Sequence, residues 1–428
     1  MPLQARDHNS HRVRLCLATQ AFYPVYAGPA VRFGRYLPGF RARNVEVEVF
    51  AGTPSTVKAA MSGVQMATTK DRLGTMLPAE TVLGVPTHRV RMGDAGPLRR
   101  SMIFSRRLVD FCRHPQHRPD VIQLLSLSFV GLPALRRLRS MGIPLVYTST
   151  MLPEEPASRI RTTLQRGSIT IPFKLLDCVV VSSRLMLDRL RALGVETRIE
   201  VIPNGVDTER FRPASGADER QALRSALGIA PEDTVLLFVG PVSPRKGIDL
   251  LLEGWCELAR DYPRLHLLIV GPRRDESDPS QAGFARRLEM LLNASGAADR
   301  VHFVGLVENV EEYMRAADVF VFPSRREGMP NVVPEAMASG LPVVCTPFIG
   351  LPAEFGTAER QYLLASFDPR VLARRIAEVV GNTRMREELG HVARRWVEDR
   401  MAVTKSLDQY VDLYRGLAIG SDTTGVRR

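Results

Sequence analysis

Short apolar runs of strand length alternate with longer segments of helical apolar spacing along this chain, and the series runs twice. In the first half the spacing predicts a strand over 13–19, a glycine-containing loop over 23–29, a helix over 30–43 and a strand over 45–50. Strands over 121–125, 145–148, 178–182 and 200–202, with helices near 131–141 and 184–193, continue it. The second half predicts strands over 235–239, 265–270, 301–304, 319–322 and 343–346, with helices over 250–260, 283–293, 310–316 and 332–339 between them. Strand and helix in alternation imply parallel sheets with crossover helices, and near-continuous apolar strands imply sheets covered on both faces. The expected fold class is therefore α/β, with two doubly wound Rossmann-like domains. A polar, proline-containing stretch over 210–219 is read as the linker. This gives domains over 1–212 and 213–400, the first completed by a C-terminal helix over 401–418, and a disordered tail over 419–428. In open parallel sheets ligands bind outside the carboxyl ends of the strands, so the site is expected in a cleft between the two domains.

Composition then narrows the function classes. The 428 residues suit two to three domains at about 150 residues each, and 45% hydrophobic with 24% charged is ordinary globular content. No stretch approaches the ~18 consecutive apolar residues of a spanning helix. The apolar run over 15–19 after His8, His11, Arg12 and Arg14 is too short for a signal-peptide core, which predicts a cytoplasmic protein. Cys16, Cys112, Cys178, Cys256 and Cys345 are odd in number and contain no CxxC pair, so they read as buried thiols and not as disulfides or zinc ligands. The net charge of +12 is uneven: up to Arg212 there are 31 basic and 16 acidic residues, and beyond it 27 and 30. Such a positive half favours an anionic partner. The basic residues gather over 89–118 (Arg99, Arg100, Arg106, Arg107) and 159–174, interleaved with Met102, Ile103, Phe104, Leu108 and Phe173. Basic and apolar residues together suit an anionic bilayer surface more than a duplex, and no nucleic-acid motif accompanies them. The plainer alternative is a solvated face over a half-buried core helix.

The densest signal runs from Pro323 to Val344. A strand is followed by a Gly328-Met329-Pro330-Asn331 turn and a helix, with Asn331 as N-cap and Pro334 in the first turn. The amides of Val332 and Val333 would then be open to a phosphate. Glu327 and Glu335 bracket the turn, and carboxylates beside a phosphate site suit sugar hydroxyls better than phosphate oxygens. Either glutamate alone would serve equally well as a solvated or dipole-favouring residue; the spacing with its flanks is what points to a site. Lys246, one of only five lysines, follows a strand where a compact ammonium can meet a leaving phosphate.

Glu327 and Glu335, set within Pro-Ser-x-x-Glu-Gly-Met-Pro-Asn-Val-Val and Glu-Ala-Met-Ala-x-Gly-x-Pro-Val-Val, resemble the donor-site signature of glycosyltransferase family 4, retaining enzymes of the GT-B fold. Three further segments resemble the family's: 201–207 with Phe211 and Pro213 its interdomain segment, 238–247 its phosphate-binding loop, and 301–305 its nucleobase-side strand. The resemblance implies catalytic roles for Glu327 and Lys246. It also implies a nucleotide-sugar site formed by Gly28, Lys246, Glu327, Asn331, Val332 and Glu335. In it Glu335 holds ribose hydroxyls, Glu327 touches the donor sugar, and Lys246 neutralises the diphosphate. Gly28 stands where the family has its Gly-Gly loop. A glycan or lipid-linked acceptor, an anionic membrane surface met at its inner face, and a role in cell-surface polysaccharide or glycolipid synthesis complete the expectation. No Asp-x-Asp pair occurs, so no cofactor is expected and transfer is expected to be metal-independent.

Two positions depart from the family. Pro241 stands where an arginine commonly follows the phosphate-loop glycine, and Thr150 is near where a histidine often stands. They keep open a catalytically inactive relative that binds nucleotide sugar or membrane without turnover. A dinucleotide-dependent oxidoreductase is the other alternative; neither first strand is followed by GxGxxG, which counts against it.

Overall fold

The computed structural model describes residues 12–24, 28–54, 72–149, 170–273 and 279–422. The chain divides into two compact units, one of residues 1–203 with 406–428 and the other of residues 204–405. Each is a doubly wound sheet, as the alternation predicts.

In the first unit the strands are β1 (Val13–Thr19), β2 (Val45–Gly52), β3 (Glu80–Val82), β4 (Val85–Val90), β5 (Val121–Leu124), β6 (Leu145–Ser149), β7 (Cys178–Val181) and β8 (Ile199–Val201). They pair in the order β3-β4-β2-β1-β5-β6-β7-β8, all parallel except β3 against β4. The crossovers include α1 (Gly28–Arg41), α2 (Pro97–Arg113), α3 (Leu132–Ser140) and α4 (Arg184–Ala192). Val, Leu, Cys and Ala in β1 are almost wholly buried, because helices cover both faces of the sheet.

The second unit contains β9 (Thr234–Val239), β10 (Leu265–Val270), β11 (Val301–Gly305), β12 (Val319–Phe322), β13 (Val343–Cys345) and β14 (Leu363–Leu364), paired in the order β11-β10-β9-β12-β13-β14. Its helices are α5 (Ala217–Ala226), α6 (Ile248–Asp261), α7 (Pro279–Ser295), α8 (Val310–Ala316), α9 (Val332–Ala338), α10 (Pro369–Val380) and α11 (Thr383–Arg400). A final helix, α12 (Val403–Asp422), carries the chain back to the first unit. Successive strands run outward from β9 on one side and from β12 on the other, so the order reverses between those two.

Several boundaries differ from expectation. The chain enters the second unit at Asn204, ahead of the linker expected over 210–219. Phe211 is buried in the second core, and Val206 exchanges backbone hydrogen bonds with Met401 and Val403, so burial and pairing claim this segment. The last helix continues to Asp422, beyond the expected end at 418; residues 423–428 of the expected tail lie outside the described residues. The hairpin of β3 and β4 and the short β14 are additional to the predicted elements. In α2, Phe104, Leu108, Phe111 and Cys112 are buried on one face, which is the half-buried core helix of the plainer alternative. Gly28, expected in a loop, opens α1 and is exposed. All five cysteines are free thiols, four of them buried. No helix among the described residues is long and apolar enough to cross a membrane.

Candidate active site

The reversal between β9 and β12 leaves two loops side by side at the carboxyl ends of those strands, the place where doubly wound sheets bind ligands. The loop after β9 runs from Gly240 to Gly247, and the loop after β12 from Pro323 to Asn331. Gly247 has φ +70°, and a β-carbon there would collide with the carbonyl oxygen of Pro323. Only glycine allows both the left-handed turn and this approach of the two loops.

Lys246 and Glu327 meet across the loops, with Nζ 2.9 Å from Oε1. Both side chains are about nine-tenths buried. The lysine stem passes beneath Gly240, and its ammonium lies 5.0 Å from the centre of the Phe322 ring. Burial pulls the Lys246 pKa down from its ordinary value, against the opposing charge of Glu327. The same Oε1 accepts from Ser324 Oγ at 2.7 Å and from Arg245 Nη1 at 2.8 Å. Among the described residues Oε2 receives no such bond, so the second oxygen is available for a hydroxyl.

A second pair fixes this geometry. Arg325 binds both carboxylate oxygens of the buried Asp249 at 2.9 Å, and its amide donates to the Arg245 carbonyl. The Glu327 amide donates to Ile349, whose own amide donates to Arg325. The loop bearing Glu327 is thus tied on both sides before any ligand arrives.

Glu335 and Val332 lie one strand-to-helix connection further on, in the short α9. Glu335 is buried, 6% exposed, and Val332 is half-buried against the second core. Asn331 stands at the N-cap position but does not cap: its Oδ1 accepts from Asn204 Nδ2 at 2.6 Å, and its backbone is already helical. The expected capping bond is replaced by a tie to the segment that enters the unit. The amides of Val332 and Val333 still precede the first intrahelical bond, which Glu335 donates to Asn331.

The second unit thus brings Lys246 and Glu327 into contact and holds Asn331, Val332 and Glu335 on the helix that follows. Gly28 belongs to the first unit, where a β-carbon would touch nothing within 4 Å. Arg245 and Ser324 were not singled out as site residues. Ser324 carried only the proline-serine flank of Glu327 as a signal, and Arg245 only its place before Lys246.

The family model for glycosyl transferases group 1 matches residues 219–396, and the model for the glycosyl transferase 4-like domain matches residues 27–205. A D-inositol 3-phosphate glycosyltransferase of Streptomyces bingchenggensis is 33% identical over 327 residues, covering 70% of this chain and 69% of that protein. The chain belongs to glycosyltransferase family 4. A second such glycosyltransferase, from Geodermatophilus obscurus, is 33% identical, and the match spans only 57% of its length and 59% of this chain. The mannosylfructose-phosphate synthase of Agrobacterium fabrum is 37% identical over 42% of this chain and 40% of its own.

Among solved structures, the family 4 chain resembles Anabaena Alr3699/HepE in complex with UDP, with TM-score 0.73, 17% identity, and 94% and 100% of the two chains covered. It also resembles sucrose-phosphate synthase from Thermosynechococcus elongatus, with TM-score 0.72, 22% identity, and 96% and 100% covered. These likenesses give the chain the GT-B fold. Of its two departures from the family pattern, Pro241 is exposed in the loop after β9, and Thr150 lies outside the described residues.

Proposed function

We propose that this family 4 enzyme moves a sugar from a nucleoside-diphosphate sugar to an acceptor hydroxyl with retention of anomeric configuration. The observation that carries the reading is the buried 2.9 Å contact of Lys246 with Glu327 at the strand-order reversal of the second unit. UDP and UDP-glucose in structures of the Anabaena protein support a donor of this class.

The residues divide the work by charge. Lys246 faces the diphosphate and stabilises the negative charge that develops as the sugar leaves, assisted by the amides that open α9. Glu327 holds donor-sugar hydroxyls through Oε2. Three donors on its Oε1 make it a poor nucleophile, which favours attack by the acceptor on the same face the diphosphate leaves. In that step the acceptor oxygen bonds to the anomeric carbon, and the carbon–oxygen bond to the diphosphate breaks with its electron pair going to the phosphate oxygen. The acceptor proton passes to the departing diphosphate. Glu335 accepts hydrogen bonds from the ribose hydroxyls, and Asn331 holds the start of α9 in place. Gly28 answers no packing requirement of its own unit, which suits a backbone that a diphosphate approaches closely. Transfer needs no metal on this reading, since the charge on the diphosphate is met by Lys246 and backbone amides. Activity lost in chelator and restored by a divalent ion would contradict that part.

The acceptor is a glycan or lipid-linked sugar, handled in the cytoplasm at the inner face of the membrane, in cell-surface polysaccharide or glycolipid synthesis. Leu98 and Met102 stand exposed on α2 beside the exposed Arg99 and Arg106, a basic and apolar stripe of the kind an anionic lipid surface attracts.

The test is product formation with a panel of UDP, GDP and ADP sugars, followed by assignment of the product anomer by NMR. Release of nucleoside diphosphate with a retained anomer is expected for one donor. Ligand stabilisation without any release would identify an inactive relative instead, and an inverted product would overturn the mechanism.

A further inference from the structure

The first unit holds a cluster of metal-ligating side chains that the transfer reaction does not use. Glu48 lies on β2, His88 on β4, and His117 on the short turn that follows α2. His88 pairs in register with Phe50, two residues beyond Glu48, so all three side chains emerge on the same face of the sheet. That face is the one α2 covers, because Phe50 packs on Phe104 and Phe111. The chain then turns after α2 and returns His117 to Glu48.

One candidate ligand atom from each of Glu48, His88 and His117 lies within 4.8 Å of the other two. His117 Nδ1 is 2.9 Å from Glu48 Oε2, and His88 Nε2 is 3.6 Å from the same oxygen. Tetrahedral zinc with bonds of about 2.0–2.1 Å separates its ligand atoms by roughly 3.3 Å, between these two distances. The rings are already held: His117 stacks on Phe111 with centroids 4.6 Å apart and planes at 15°, and His88 lies 4.8 Å from both Phe111 and His117. The second observation is His88 Nε2 itself, which is buried and makes no hydrogen bond. A buried ring nitrogen that faces a carboxylate from beyond hydrogen-bond length is a lone pair, or a proton, without a hydrogen bond of its own.

We propose that Glu48, His88 and His117 bind one zinc ion on the helix-covered face of the first sheet. Two imidazoles and a carboxylate form a recognised zinc donor set that leaves a further position open. A small pocket lined by Arg14, Cys16, Glu46, Glu48 and His117 adjoins the cluster. Arg14 donates to the Gln116 carbonyl, and Arg12 pairs with Glu46. The ion joins strands β2 and β4 to the segment that follows α2, so its binding stabilises the first unit. This site belongs to the first unit and Lys246 and Glu327 to the second, and the inference does not depend on the proposed donor chemistry.

The experiment strips the full chain with a chelator and titrates it with Co²⁺, a coloured stand-in for zinc. A visible absorption band that saturates at one ion per chain, is displaced by Zn²⁺, and accompanies a higher melting temperature is expected. His88→Ala and His117→Ala should lose the band, while His266→Ala, beside the separate His302 contact, should keep it. A folded wild-type chain that gives no band and retains no zinc after gel filtration would overturn the proposal, whatever the variants do. A folded His88→Ala chain that binds as the wild type does would overturn it too, leaving a plain hydrogen-bonded Glu48–His117 pair.

Discussion

Lys246 keeps its charge where burial disfavours it, and two measurable consequences follow. Its folded pKa lies below the ordinary 10.5, so between the two values the unfolded chain holds a proton that the folded chain has shed. Stability contributed by this group therefore rises with pH across that window, while affinity for a diphosphate falls as the ammonium is neutralised. Melting temperatures of wild type and Lys246→Met across the alkaline range should show the wild type gaining relative to the variant; a parallel pair of curves would contradict this. For the carboxylates, Glu327→Gln should lower kcat on the order of 10²-fold with a small change in KM. Glu335→Ala should weaken nucleotide binding roughly 10-fold or more, from lost hydrogen bonds to a charged group. Steady-state kinetics and calorimetry check the two, and unchanged values in both would remove the assignment. Lys246, Glu327 and Glu335 were legible as candidates from residue type, rarity and spacing. Arg245 and Ser324 were not, because their hold on Glu327 Oε1 exists only once β9 and β12 lie side by side, and no local pattern encodes that adjacency.

At the scale of elements, the loops after β9 and β12 form one unit through Gly247 and the Arg325–Asp249 pair. Gly247→Ala adds left-handed strain and a collision with a backbone carbonyl, for a cost of about 2–4 kcal/mol. Thermal or denaturant unfolding should show that loss, and turnover should fall with it because Lys246 is the preceding residue; a variant as stable as wild type would show that the loops need not touch. Buried strands such as β1, β10 and β12 were legible to the residue, since both faces of a parallel strand must be apolar. The β3–β4 hairpin was not, because it is a short edge pair with Pro86 in one strand and a turn through Leu83 and Gly84 at positive φ. Helix α2 was legible only as one of two alternatives: its arginines and Met102 suit a lipid-facing stripe, while its buried face carries ordinary core residues.

For the whole molecule, the sequence divides its charge between the halves, and the basic excess falls up to Arg212. If this excess serves a membrane-bound acceptor, flotation with anionic vesicles should recover far more of the chain than flotation with neutral ones, and added salt should release it. Equal recovery on both would remove the membrane part of the reading and leave the donor site untouched. That site rests on Lys246 and Glu327 forming a preassembled charged pair for a nucleoside diphosphate. The most direct test is calorimetric affinity for the nucleoside diphosphate that the wild type binds, measured again on Lys246→Met, a change that keeps the stem and removes the charge. The account predicts binding weaker by roughly 10- to 100-fold in a variant that still folds. Equal affinity in the two proteins would contradict it.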